Sequence, residues 1–239
     1  MKTPASSIFG KDSGSYDSKL RALIKNIEGI EQIEIGSSSR SVTFRKNEMV
    51  LYKYQNERVK ENCDPILVVY SLVNRPEIAD LSNDRSLIRE LCGLGFPVYL
   101  IDWGDPGSSD SEIELSTYII DYLGSAVDHI RSDVSKKSVH ILGLCQGGTF
   151  AVCYASLFPQ KISSLITTAS PINFHSDKDR LGALIRYLDL ELFNNFSKTV
   201  DGRLLNFLFL FLKPYKLLQK KYFDLLENGH DISYVEDFL

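Results

Sequence analysis

The residues most able to do covalent chemistry lie in Gly143-Leu144-Cys145-Gln146-Gly147-Gly148. An apolar run, Ser138-Val139-His140-Ile141-Leu142, leads into this stretch, and a helix-like segment, Thr149 to Phe158, leads out of it. Strand, sharp turn and helix with a reactive side chain at the apex make a nucleophile elbow, here with Cys145 where serine is the commoner residue. The flanking glycines have a steric role: side chains at Gly143 or Gly147 would collide with the neighbouring strand or helix, and Gly147 and Gly148 let the helix start close to the strand. The thiolate is the attacking form of cysteine, so Cys145 needs a base or a depressed pKa. A helix N-terminus supplies part of this, because its unpaired amides and dipole favour negative charge. Acyl transfer also needs two N–H groups aimed at the reacting carbonyl oxygen. The elbow nominates the Gln146 amide for one, and the loop after the Pro65–Tyr70 run nominates that of Val73 for the other. Cysteine rather than serine favours exchange between thioesters, since the bond formed and the bond broken are alike. A bare Gly-x-Cys-x-Gly-Gly would also suit a tight turn with no chemistry; the flanking strand and helix favour the chemical reading.

The elements that must position Cys145 follow from hydrophobic periodicity. Leu20 to Ile30 has the spacing of a short helix, and Gly36–Ser39 is a turn signal. Ser41–Arg45 and Met49–Tyr54 read as two strands of a hairpin around Lys46-Asn47-Glu48. Pro65–Tyr70 and Pro97–Ile101 are short, continuous apolar runs of the kind buried on both faces of a parallel sheet. Between them, Asp84–Leu94 has helical spacing. Ser116 or Thr117 could cap a helix reaching Val134, and Ile162–Ala169 reads as one more buried strand. Strands alternating with helices predict a mostly parallel sheet with helices on both faces. With a hairpin in front, this is an α/β-hydrolase-like architecture. The expected division is an N-terminal arm and short helix over 1–40, an α/β core over 41–175, and a helical cap over 176–239 after the sixth strand. Within the cap, Leu204–Leu212 is strongly apolar, suited to burial in the cap or against another subunit.

The chain has 239 residues, 44% hydrophobic and 24% charged, which suits one ordinary core with an appended cap. A formal charge of −4 without a basic stripe gives no sign of nucleic-acid binding. No stretch is long and apolar enough for a transmembrane segment, and Met1–Ser18 lacks the apolar centre of a signal peptide. A cytoplasmic location is therefore expected. The four cysteines show no metal-ligand spacing, so neither a metal nor a cofactor is expected. Cys92 and Cys153 are read as core residues and Cys63 as incidental in its loop.

Four separated blocks carry a family likeness. Ile66–Pro76, Asp84-Arg85-Ser86, Val98–Gly104 and Gly143–Phe150 keep the order and spacing found in the polyhydroxyalkanoate synthases, and the chain most resembles their class III catalytic subunit. The resemblance implies an acyltransferase that polymerises (R)-3-hydroxyacyl-CoA, commonly 3-hydroxybutyryl-CoA. Cys145 would hold the acyl group and Gln146 and Val73 would supply oxyanion amides. It further implies a second synthase subunit, a homo-oligomer, and association with the surface of polyester granules. The family also uses a histidine base and an aspartate downstream of the cap. His129, His140, His175 and His230 do not fill the first role: His129 lies in a helical pattern, His140 in the elbow strand and His230 near the chain end, and only His175 follows a strand on the active-site side. Asp102 is better placed to fix its Trp-Gly turn than to serve a triad. The expectation is a C-terminally truncated synthase, missing its last strands and poorly active on its own. Two competing functions are a cysteine-dependent esterase or thioesterase, and an inactive binding module.

Overall fold

The computed structural model describes residues 36, 38–60, 63–105 and 107–175, with isolated positions 18, 21, 22, 24, 25, 182, 186, 202, 224, 227 and 228. The chain forms two compact units, one of Ile35–Val200 and one joining Met1–Glu34 to Asp201–Leu239. Positions 18, 21, 22, 24 and 25 are helical; the rest of the expected Leu20–Ile30 helix, most of the expected cap and all of Leu204–Leu212 lie outside the described residues.

The Ile35–Val200 unit is built on a six-stranded sheet of order β1-β2-β6-β3-β7-β8. β1 (Arg40–Lys46) and β2 (Met49–Tyr54) form the expected antiparallel hairpin, turning through Asn47 at φ +51°. β2 then pairs antiparallel with β6 (Val98–Asp102). From there the sheet is parallel: β6 beside β3 (Ile66–Val69), β3 beside β7 (Val139–Leu144), β7 beside β8 (Ile162–Thr168). Alternation explains the unbroken apolar runs. Leu67, Val69, Tyr99 and Ile101 face one core, while Ile66, Val68, Val98 and Leu100 face another. The first core packs on α2 (Leu123–Asp133) and α3 (Gln146–Leu157), the second on α1 (Leu87–Gly93).

Four sequence expectations are corrected. The helix expected over Asp84–Leu94 starts three residues late. Residues before it pair as a small ladder, β4 (Asp80–Ser82) with β5 (Arg85–Ser86), and the Ser86 hydroxyl then caps α1 by accepting from the Arg89 N–H at 2.9 Å. Buried Asp80 organises this corner, accepting from the Ser38 N–H at 3.1 Å and from the Ser38 and Ser86 hydroxyls. α3 begins at Gln146, not Thr149, so the helix opens directly behind Cys145. Ile162–Thr168 is a strand but not a buried one: it pairs with β7 alone among the described residues, and Ile166 is 57% exposed. Cys153 is exposed, not core. Gly147, Phe150, Ala151 and Tyr154 turn to the sheet, and Cys153 falls on the other side of α3. Cys92 is half-buried against the second core, where burial, with a smaller contribution from Asp80, pushes its thiol pKa up.

Candidate active site

β7 delivers the chain to the carboxyl edge of the sheet, where Cys145 makes the turn into α3 at φ +53°, ψ −131°. This is a left-handed conformation for a residue with a side chain, and such strain persists only where the surroundings enforce it. Two backbone bonds do so. The Cys145 N–H donates to the Thr168 carbonyl at 2.9 Å, and the Cys145 carbonyl accepts from the Gly148 N–H at 3.0 Å. The glycines allow the close approach. A Cβ on Gly143 would lie 2.4 Å from the Gly148 Cα, one on Gly147 2.2 Å from the Val69 carbonyl oxygen, and one on Gly148 1.8 Å from the Ser170 Oγ. The outcome is an exposed cysteine at the N-terminus of a twelve-residue helix.

β3 brings a second group of residues to the same edge. β3 runs between β6 and β7, and the chain leaves it toward β6 before returning on the other side as β7. Ligands of open α/β sheets sit at such a reversal, outside the carboxyl ends of the strands. An open groove lies there, between the Ser71–Pro76 loop and Asp102–Asp105. Its walls are fixed by two hydrogen bonds. The Trp103 indole N–H donates to the Tyr70 carbonyl at 2.9 Å, and the Asp102 carboxylate accepts from the Gly104 N–H at 3.0 Å. Asp102 thus holds the Trp-Gly turn, as its sequence context suggests.

The loop after β3 is bonded to the start of α3 across this edge. The Gln146 side-chain carbonyl accepts from the Leu72 N–H at 3.2 Å and from the Ser71 hydroxyl at 3.4 Å. Val73, the other nominated amide, donates its N–H to the Ser71 Oγ at 3.0 Å. Tyr70 joins the site without having been singled out in the sequence. Burial pushes its phenol pKa up, a hydrogen bond with Asn74 opposes this, and the nearby charge of Cys145 adds to the rise. The position of Tyr70 directly after an apolar strand was the available signal.

The described histidines are engaged elsewhere or lie in the open. The His129 Nε2 is 3.0 Å from the Thr43 Oγ1, and its ring stacks on Phe44. The His140 Nδ1 is 2.7 Å from the Ser164 Oγ, with the ring edge-on to Phe96. His175 is exposed, and His230 is outside the described residues. Among the described residues no three His, Cys, Asp or Glu side chains group as a metal site, and no helix is long and apolar enough to cross a membrane.

The alpha/beta hydrolase fold family matches the chain over residues 64–227. Among curated proteins, the poly(3-hydroxyalkanoate) polymerase subunit PhaC of Thiocystis violacea is 38% identical over 225 residues, covering 94% of this chain and 63% of that protein. The subunits of the same name from Allochromatium vinosum and Synechocystis sp. are 35% and 34% identical, each covering 94% of this chain and 64% and 61% of their own length. The chain thus spans somewhat less than two thirds of the relatives it matches. It belongs to the alpha/beta hydrolase fold family and is homologous, over nearly all of its own length, to poly(3-hydroxyalkanoate) polymerase subunits.

Proposed function

We propose that this chain is the acyl-accepting part of a polyhydroxyalkanoate synthase, with Cys145 as its nucleophile. The observation that carries the reading is the exposed Cys145 held at φ +53° at the head of α3, in a chain whose relatives are polymerase subunits. The Cys145 thiolate attacks the thioester carbonyl of an (R)-3-hydroxyacyl-CoA such as 3-hydroxybutyryl-CoA. The carbon–sulfur bond to CoA breaks, the CoA thiolate leaves, and an acyl-cysteine thioester remains. The hydroxyl of another acyl unit then attacks this thioester, forming an ester, and its proton returns the cysteine to the thiol. The Gln146 and Val73 amides are assigned to the tetrahedral oxyanion, which requires Val73 to turn from Ser71 toward the substrate. The helix N-terminus favours the thiolate electrostatically. No described histidine is assigned the base role. A second synthase subunit, self-association, a polyester granule surface and a cytoplasmic location complete the proposal.

A hydrolytic reading rests on one specific observation: Cys145 is open to solvent, so water has access to an acyl-cysteine there. Product analysis after incubation with 3-hydroxybutyryl-CoA separates the two. Polyester accompanying CoA release supports the synthase. Free 3-hydroxybutyrate supports a thioesterase. CoA release that persists in Cys145→Ala removes both readings.

A further inference from the structure

We infer that the side chain of Gln146 is a positioning residue that sets the oxyanion loop against the elbow. This deepens the acyl-transfer reading above and rests on it for its catalytic consequence. Gln146 is fixed twice over by the covalent geometry of the elbow: it follows Cys145 directly and is the first residue of α3. Its backbone amide therefore cannot move independently of the sulfur. Its side chain reaches across to the other wall, where the Oε1 accepts from the Leu72 N–H at 3.2 Å and from the Ser71 hydroxyl at 3.4 Å. Ser71 is 2% exposed, so its hydroxyl must find its partners within the protein rather than in bulk water. The same hydroxyl accepts from the Val73 N–H at 3.0 Å. A single carbonyl oxygen on Gln146 thus ties down three consecutive loop residues, two directly and the third through Ser71.

The consequence is geometric. Two amides serve one oxyanion only if their separation is held before the charge develops. One amide is carried by Gln146 itself. The other is carried by a loop that Gln146 anchors at Ser71 and Leu72, so one residue sets the base from which the Val73 N–H turns toward the substrate. The Gly147 approach to the Val69 and Tyr70 carbonyls keeps the helix start beside the end of β3, which brings the glutamine within reach. Nothing in Gly-x-Cys-x-Gly-Gly spacing demands a glutamine between the cysteine and the glycine. The bond to Leu72 supplies a reason for one.

The test separates attack at a carbonyl from attack at an alkyl carbon. Iodoacetamide alkylates Cys145 without forming an oxyanion, whereas acylation by 3-hydroxybutyryl-CoA forms one. In Gln146→Met, which keeps length but loses the acceptor, single-turnover acylation is expected to fall about 10- to 100-fold, a part of the loss seen when an oxyanion donor is removed outright. Alkylation of Cys145 should stay within about threefold of wild type, since elbow and helix are retained. A second arm needs no activity. Hydrogen exchange at the Leu72 amide should quicken at least about tenfold in Gln146→Met and return toward wild type in Gln146→Glu, which restores the acceptor. Equal losses of acylation and alkylation, or unchanged Leu72 exchange in Gln146→Met, overturn the inference. A wild-type chain that accepts no acyl group refutes the acyl-transfer reading instead, and the exchange arm still decides whether Gln146 holds the loop.

Discussion

Gly147→Ala offers the sharpest test of the elbow as a packed object. The added Cβ would lie 2.2 Å from the Val69 carbonyl oxygen and 2.6 Å from that of Tyr70. Ordinary carbon–oxygen contacts begin near ~3.3 Å, so α3 and β3 must part by about 1 Å or rotate. Both obstacles are backbone atoms of a central strand and its continuation, and no rotamer change relieves them. Overpacking a core costs about 1–3 kcal/mol, and an unyielding backbone places this substitution at about 3 kcal/mol. That is a large share of the ~5–15 kcal/mol typical of a folded domain. Gly93→Ala is the matched control. Gly93 ends α1 with open space around its Cα, and its backbone is compatible with a side chain. There alanine should stabilise by about 0.5–1 kcal/mol, through the entropy of the unfolded chain and helix propensity. Urea denaturation followed by far-UV circular dichroism reads both. With a slope of roughly 2 kcal/mol per molar, the Gly147→Ala midpoint should drop by more than about 1 M, while that of Gly93→Ala should hold or rise. A Gly147→Ala loss below about 1 kcal/mol, or equal losses at both sites, would refute the steric account.

Two further substitutions test the core and the surface. The Tyr154 hydroxyl is buried with no hydrogen-bond partner among the described residues, its ring against Gly124 and Phe158. Tyr154→Phe removes an unsatisfied polar group and should stabilise by about 1 kcal/mol; a destabilised variant in the same urea assay contradicts this. Burial pushes the Asp133 pKa up, but bonds from the Lys53 ammonium and the Tyr99 hydroxyl outweigh it and hold the carboxyl below its usual range. A depressed folded-state pKa gives stability that is present above the unfolded value and lost as pH falls through the folded one. Asp133→Asn should therefore lose less stability than wild type between about pH 4 and pH 2; parallel acid-denaturation curves would contradict the assignment.

What the sequence disclosed depended on how local each feature's cause was. The hairpin, the parallel strands and the elbow rest on periodicity and on glycine spacing, so Asn47, Leu67 and Gly148 could be placed from the sequence alone. The buried corner at Asp80 was missed because its partners, Ser38 and Ser86, are short polar residues with no period, and only tertiary folding brings them together. The Ser86 cap carries a local signal, a serine ahead of the apolar run Leu87-Ile88, which marks the helix start better than Asp84 does. Apolar content also misled at β8, since Ile166 is hydrophobic yet more than half exposed. At the candidate site the elbow at Cys145 was legible and its supports were not. The Trp103–Tyr70 and Gln146–Leu72 bonds are contacts between distant parts of the chain, and no motif within either part encodes them.

The central claim is that Cys145 accepts an acyl group from a CoA thioester. Incubating the full 239-residue chain with (R)-3-hydroxybutyryl-CoA, quenching in acid and mapping adducts by peptide mass spectrometry tests it most directly. One 3-hydroxybutyryl adduct on the Cys145 peptide is predicted, with one equivalent of CoA released, and both absent in Cys145→Ala. No adduct, or one that survives in Cys145→Ala, would contradict the account.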